Sequence, residues 1–330
     1  MRGRRPVRAR GVAPAARRPV VLVYNPDEAA AYAKTIRPPR GRAVTIHTAA
    51  TEAEAAAVVG EVDIVYGWKF PASLYARAPR LAWQQVMGAG VDWVFVPELP
   101  PSVVVTRAPG VFGAWMSEYV LGWCLWVTQR METYRAAQRE QRWRGELLPA
   151  RLRGATLALV GMGDIGRTIA RAAAAVGMNV IGVSRSGQPV PVVKRVYRVG
   201  HLHRALAAAD FVVLVVPLTS ETRGLIDATA LAMMRPSAWL LNIGRGALVD
   251  EAALLEALRA RRIAGAVLDV FPKEPLPPEH PFWRLDNAVI TPHISGPSTP
   301  DELAPIFNDN LARWMAGRPL RHVVDRRRGY

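Results

Sequence analysis

The chain has 330 residues, half of them apolar, a length that favours two domains over one core. No apolar run approaches the roughly 20 residues of a membrane span, which excludes a transmembrane protein and a membrane partner. The single cysteine, Cys124, excludes a disulfide within the chain and predicts a reducing compartment, the cytoplasm.

The net charge of +16 is concentrated at the amino terminus. Residues 1–18 hold seven arginines and no acid, so the remainder of the chain carries +9. With prolines and little to bury, this segment predicts a disordered basic tail. A nucleic-acid arm and an organelle presequence are the alternatives. We expect an unstructured extension, and we do not expect nucleic acid as a partner.

The first half of the chain alternates strand and helix signals. Strands are predicted at 20–24, 63–66, 82–86 and 103–106, and helices at 27–36 and 52–59. This alternation predicts a parallel, doubly wound α/β unit. Its boundaries are predicted at 19–118 and 297–330, because an amphipathic helix over 303–315 returns to it.

Residues 119–296 are predicted to form the second unit, also a doubly wound parallel sheet. A proline-free stretch, 114–142, predicts one long helix that leads into it. Six strands then alternate with helices, at 156–160, 179–183, 210–216, 238–243, 264–270 and 288–291.

A glycine-rich turn follows the first strand of that second unit, with the sequence GMGDIG at 161–166. Gly161 permits a tight turn, Gly163 lets backbone approach a pyrophosphate, and Gly166 lets the next helix pack on the strand. The first helical residues, Asp164 and Ile165, present backbone N–H groups to phosphate oxygens. This context predicts a dinucleotide site.

The next strand ends in Ser184, Arg185 and Ser186, without the Asp or Glu that a free ribose 2′-hydroxyl requires. Arg185 can pair with a 2′-phosphate, and the serines can donate to it. The sequence therefore predicts a preference for NADP(H), with NAD(H) as the alternative cofactor. Pro217, where the following strand ends, is predicted to line the same crevice.

A cation, a carboxylate and an imidazole follow three further strands: Arg245, Glu274 and His293. Ligands of open α/β sheets bind beyond the carboxyl ends of the strands. A guanidinium there can grip a substrate carboxylate and polarise the adjacent carbonyl. Histidine can donate the proton that an alkoxide needs when hydride reaches a ketone, and a bonded carboxylate would hold its protonated form.

These segments together resemble the D-isomer-specific 2-hydroxyacid dehydrogenase family. They fall in order: GAGVD (88–92), GMGDIG, PLTSETRGLID (217–227), NIGRGALVDEAAL (242–254), GAVLDVFPKEPLPPEHPFW (265–283) and ITPHISG (290–296). Within the family, the chain is most similar to the glyoxylate/hydroxypyruvate reductase branch.

The resemblance implies a flavodoxin-like substrate domain, a Rossmann NAD(P)-binding domain and a homodimer. Arg245 and His293 would bind a small 2-keto or 2-hydroxy acid, with Glu274 orienting His293. Ala89 and Gly90 would offer N–H groups to the substrate carboxylate. Asp269 would bond the nicotinamide carboxamide, and no metal is implied.

The expected activity is NADPH-linked reduction of small 2-keto acids to D-2-hydroxy acids. Two alternatives stay open: an NAD-dependent D-lactate-type member, and a non-catalytic dinucleotide-sensing regulator with the same fold.

Overall fold

A computed structural model describes residues 17–330. The predicted disordered tail therefore lies outside the described residues, except for its last two positions. Of these two, Arg17 bonds both carboxylate oxygens of Asp63 with its guanidinium, at 3.0 and 2.5 Å. Asp63 is 3% exposed and also pairs with Arg80, so a buried acid holds Arg17 in place.

Among the described residues, the first compact unit comprises 17–111 and Ser298–Tyr330. Its five strands form one parallel sheet in the order β2-β1-β3-β4-β5, the flavodoxin-like order. The strands are β1 Val20–Tyr24, β2 Thr45–Ala49, β3 Ile64–Gly67, β4 Trp83–Val86 and β5 Val104–Thr106. The helices are α1 Ala29–Lys34, α2 Glu52–Val58 and α9 Pro300–Met315, with 3-10 turns at Val59–Glu61 and Ala72–Arg77.

Helix α9 packs on the first sheet, as the sequence predicts. Thr299 and Glu302 form a capping box at its start. Phe307 stacks on Tyr66 and Trp83 with centroid separations of 4.2 and 5.4 Å. The carboxyl-terminal segment is thus part of the first unit's core.

The second compact unit is Phe112–Pro297. Its seven parallel strands follow the order β12-β11-β10-β9-β6-β7-β8. They are β6 Thr156–Val160, β7 Asn179–Ser184, β8 Arg195–Arg198, β9 Phe211–Leu214, β10 Trp239–Asn242, β11 Gly265–Leu268 and β12 Ala288–Ile290. The helices are α3 Phe112–Thr128, α4 Met131–Arg139, α5 Asp164–Ala175, α6 Leu202–Ala208, α7 Ala228–Met233 and α8 Glu251–Arg259, with 3-10 turns at Val199–His201, Gly246–Leu248 and Pro281–Arg284. Two parallel-sheet α/β units confirm the predicted fold class.

The predicted helix over 114–142 is two helices. Arg130 adopts a left-handed backbone with φ of 51°, which separates α3 from α4. Gly113 packs against Thr168 of α5, where an added Cβ would lie 2.9 Å from the threonine side chain. Because α3 is continuous from residue 112, the predicted boundary at 118/119 falls inside it, and its first turns belong to the second unit.

No helix among residues 17–330 is long and apolar enough to cross a membrane.

Candidate active site

The carboxyl ends of the seven-stranded sheet carry most of the predicted site. Strands β6 and β9 are neighbours, although β7 and β8 intervene in sequence, so the strand order reverses between them. Open α/β sheets bind ligands at such a point. All the strands are parallel, so this edge collects residues from several loops: the turn 161–166, residues 184–186, Pro217, Arg245, Asp269 and His293.

The geometry of the glycine turn suits a phosphate. Gly161 has φ of 118°, and a Cβ there would lie 2.7 Å from the Val215 carbonyl oxygen. A Cβ on Gly166 would lie 2.0 Å from the Gly161 carbonyl oxygen, so only glycine lets α5 start this close to the strand. A Cβ on Gly163 would meet nothing within 4 Å. Space therefore exists where the first turn of α5, which includes Asp164 and Ile165, directs its N–H groups.

The predicted ribose end of the site lies where β7 ends. Arg185 and Ser186 are exposed, and the hydroxyl oxygen of Ser184 accepts a bond from Gly187 N at 3.1 Å. Sequence reasoning missed the neighbouring edge strand β8, which places Arg198 directly opposite Ser184. The Arg198 side chain lies over Gly187, since a Cβ there would be 2.8 Å from Arg198 Cγ. Two exposed arginines thus flank the serines.

Asn242 shapes the loop that carries Arg245. Its buried side chain donates to the Arg245 carbonyl at 2.9 Å and accepts from Gly244 N at 3.2 Å. The half-buried Arg245 guanidinium bonds the Gly244 carbonyl at 2.7 Å. A Cβ on Gly246 would lie 2.1 Å from the backbone of Phe271, so this glycine lets the Arg245 loop touch the loop that carries Glu274. Buried Asn242 was the missed signal, a polar residue inside an apolar strand.

Glu274 and His293 form the pair that the sequence predicts. Nδ1 of His293 lies 2.9 Å from Oε2 of Glu274, and the side chains are 34% and 26% exposed. The other oxygen, Oε1, accepts from Phe271 N at 3.0 Å, so both carboxylate oxygens are engaged. An ionised carboxylate only accepts hydrogen bonds, which assigns the proton to Nδ1. Nε2 then carries a transferable proton only in the imidazolium.

Asp269 is completely buried, and its carboxylate bonds within the protein. Oδ1 accepts from the Thr291 hydroxyl at 2.6 Å and from Ile294 N at 2.8 Å, and Oδ2 accepts from Ser295 N at 2.9 Å. Each carboxylate oxygen has two acceptor positions, so one is left on Oδ2. The expected bond to a nicotinamide carboxamide stays a prediction, limited to that position.

Ala89 and Gly90 lie in the first unit, half-buried in the loop after β4. The preceding Gly88 is covered by Trp68, since a Cβ on it would be 2.6 Å from the indole ring. The two residues therefore sit at the carboxyl edge of their own sheet. In the second unit, Arg245 likewise lies at the carboxyl ends of the strands.

A metal centre is not evident in the part of the chain that the structure describes, where no three His, Cys, Asp or Glu side chains are grouped to hold an ion.

Comparison with known proteins agrees with this architecture. Residues 121–295 match the model for the NAD-binding domain of D-isomer specific 2-hydroxyacid dehydrogenases. The glyoxylate/hydroxypyruvate reductase A of Serratia proteamaculans is 33% identical over 275 residues, which cover 81% of this chain and 88% of that protein.

Two solved structures are similar over nearly the whole chain. An NADPH-dependent glyoxylate/hydroxypyruvate reductase from Sinorhizobium meliloti, in complex with NADP and sulfate, has a TM-score of 0.85 and 34% identity, covering 95% of this chain and all of that one. A D-isomer specific 2-hydroxyacid dehydrogenase from Xanthobacter autotrophicus Py2, in complex with NADPH and MES, has a TM-score of 0.82 and 35% identity, covering 94% and 99%.

Fold and site together define an NAD(P)-dependent oxidoreductase. The chain belongs to the D-isomer specific 2-hydroxyacid dehydrogenase family, on its glyoxylate reductase branch. The predicted family and enzyme class are therefore confirmed.

Proposed function

We propose that the protein is an NADPH-preferring reductase of small 2-keto acids, with glyoxylate and hydroxypyruvate as the first candidates. The observation that carries the proposal is the His293–Glu274 pair, 2.9 Å apart at the sheet edge that also bears Arg245 and the glycine turn. The names of the relatives support this substrate class. The product is the D-2-hydroxy acid where a stereocentre forms.

Each group in the proposed site has a separate role in the reaction. Bound NADPH supplies the hydride. Arg245 binds the substrate carboxylate and polarises the carbonyl, with Ala89 and Gly90 donating to the carboxylate. His293 gives its Nε2 proton to the oxygen on which negative charge develops, a contribution of about 10²–10⁴ in rate. Glu274 holds the imidazole in place by its contact with Nδ1.

The preference for NADPH rests on the ribose end of the site. Ser184 ends β7 and Arg185 and Ser186 follow it, at a place where an acidic side chain would repel a 2′-phosphate. Arg198 adds a second cation next to Ser184. Asp269 is assigned to the nicotinamide carboxamide through its remaining acceptor position.

The test is a panel of glyoxylate, hydroxypyruvate, pyruvate and phenylpyruvate with NADPH and NADH, using wild type, His293→Gln and Arg245→Gln. Wild type should reduce the first two with NADPH. His293→Gln should lower kcat about 10²–10⁴-fold. Arg245→Gln should raise the KM for the keto acid and also lower kcat, because it removes both the carboxylate contact and the polarisation of the carbonyl.

His280→Gln is the matched control, because His280 forms a similar pair with Glu251, at 3.1 Å, outside the proposed site. It should stay within about threefold of wild type in kcat/KM, since neither partner of the pair belongs to the proposed site. Equal losses in both histidine variants would contradict the assignment. No reduction of any keto acid by wild type would favour the alternative of a dinucleotide-sensing regulator.

The homodimer and the cytoplasmic location are also proposals. The first rests on exposed apolar side chains in the second unit, and the second on the single cysteine.

A further inference from the structure

His293 stands on a strained backbone. Its φ of 56° is left-handed, a conformation that residues other than glycine rarely adopt. Such a conformation persists only where surrounding structure enforces it. His293 N accordingly donates to the Asp269 carbonyl at 2.9 Å and to the Thr291 carbonyl at 3.1 Å. The orientation of the imidazole therefore depends on how Asp269 and Thr291 are themselves held.

Asp269 fixes the loop on both sides of the histidine. Its carboxylate accepts the hydroxyl of Thr291 before His293 and the N–H groups of Ile294 and Ser295 after it. The residue is fully buried, so water cannot replace these bonds without opening the loop.

A phenol from α3 completes this network. Tyr119 OH lies 2.6 Å from Oγ1 of Thr291. The single hydroxyl hydrogen of Thr291 is given to Asp269, whose carboxylate can only accept, so Tyr119 must be the donor to Thr291. Desolvation by burial raises the pKa of Tyr119 well above its ordinary value, which keeps that donor hydrogen in place. The hydrogen bonds thus run in one direction, from Tyr119 through Thr291 to Asp269.

We infer that Tyr119 and Thr291 are positioning residues for the acid-base histidine, acting through Asp269 on the backbone of residues 293–295. The inference rests on the proposed function for the role of His293, but the network itself is independent of it. Without the relay, Thr291 loses its fixed rotamer, the Asp269 carboxylate loses an ordered partner, and the left-handed turn at His293 relaxes.

Three variants test the relay with small changes in shape. Tyr119→Phe and Thr291→Val each remove one hydroxyl, while Thr291→Ser keeps it. The first two should lower kcat about tenfold, a fraction of what general acid catalysis supplies, with the KM for NADPH within about twofold of wild type. Thr291→Ser should retain most of the activity.

Amide hydrogen exchange of Ile294 and Ser295, measured on the protein without ligands, is the second readout. Exchange should be faster in Tyr119→Phe and Thr291→Val and close to wild type in Thr291→Ser. Tyr75→Phe is the control, because it deletes another buried phenol bond, to Gln84 at 2.7 Å, in the first unit. It should lower the thermal midpoint and leave both kcat and exchange at 294–295 unchanged.

The outcomes distinguish the positioning role of Tyr119 and Thr291 from the proposed reductase function. The relay would be overturned if Tyr119→Phe had the same amide exchange at residues 294–295 and the same kcat as wild type. It would also be overturned if the loss of kcat in Tyr119→Phe were no larger than in Tyr75→Phe. Inactive wild type would overturn the proposed function instead, and the exchange comparison would still decide whether Tyr119 holds the loop.

Discussion

At the scale of single residues, the site depends on short polar contacts made by side chains that touch no substrate. Asn242 orients the Arg245 loop, and Asp269 orients the His293 loop. Buried polar groups of this kind are costly unless their bonds are made, so they specify one loop geometry. The side chains that we propose as reacting groups are themselves partly exposed.

Single side chains should also decide the preference for NADPH over NADH. Removing one arginine from a 2′-phosphate site loses a charge-assisted hydrogen bond of about 1.5–3 kcal/mol. Arg185→Ala and Arg198→Ala should therefore each lower kcat/KM for NADPH roughly 10- to 100-fold and leave NADH little changed. Initial rates with both cofactors at a saturating keto acid measure the ratio.

The control for these variants is Arg195→Ala on the same edge strand. Arg195 lies opposite Ile181, three residues or about 10 Å from the end of β7, and packs on Tyr197. It should not alter the ratio. If Arg198→Ala behaves like Arg195→Ala while Arg185→Ala changes the ratio, β8 takes no part in cofactor recognition.

At the scale of elements, the sequence predicted every strand except β2 and β8, including the apolar edge strands β5 and β12. Buried runs such as 211–214 carry an uninterrupted apolar signal. By contrast, β2 and β8 are edge strands with mostly exposed, polar residues, and no such pattern marks them. The break at Arg130 was missed because it uses an arginine in a conformation that usually calls for glycine.

The sequence predicted the placement of candidate site residues where each follows a strand, as for Arg245, Glu274 and His293. Tyr119 was not predicted, because it is one aromatic residue among many on α3, and its partner Thr291 lies far along the chain. Only the fold brings the two together. A contact between polar residues far apart in the sequence produces no periodic pattern that a single sequence could show.

The glycine turn gives an element-scale prediction, since two of its glycines serve different purposes. In Gly166→Ala the new Cβ meets the Gly161 carbonyl at 2.0 Å, so the thermal midpoint should fall by several degrees even without ligand. In Gly163→Ala the Cβ meets open space, so stability should be close to wild type. Its cofactor KM should rise at least about tenfold, because the methyl group occupies room needed by the pyrophosphate.

Thermal melts with and without NADPH check both variants. Wild type should be stabilised by saturating cofactor, whereas Gly163→Ala should show little shift at the same concentration. A large loss of unliganded stability in Gly163→Ala would mean that this glycine serves the fold alone.

At the scale of the molecule, the chain forms two sheets of different strand order. In each sheet, predicted ligand-binding residues lie at the carboxyl ends of the strands. The first presents Ala89 and Gly90, and the second presents the acid-base pair and the glycine turn. The predicted ligand groups are therefore divided between the two sheets.

The second unit also carries apolar side chains that solvent exposes. Trp143 is 96% exposed and Leu148 is 74% exposed, on the segment that follows α4. Exposed apolar clusters mark association surfaces, and cyclic homodimers are the commonest assembly of soluble proteins. We therefore expect this segment to contribute to the proposed homodimer.

Trp143→Glu combined with Leu148→Glu tests this expectation. These side chains contribute little to the fold of one protomer because they are so exposed, so the thermal midpoint of the isolated chain should change little. The dimer should be weakened by at least about 2 kcal/mol, roughly thirtyfold in dissociation constant. Sedimentation over a concentration series should show wild type as a dimer and the variant shifting to monomer. Trp283→Glu, 51% exposed elsewhere in the unit, is the control and should remain dimeric. A monomeric wild type, or a variant as dimeric as wild type, would remove this segment from any interface.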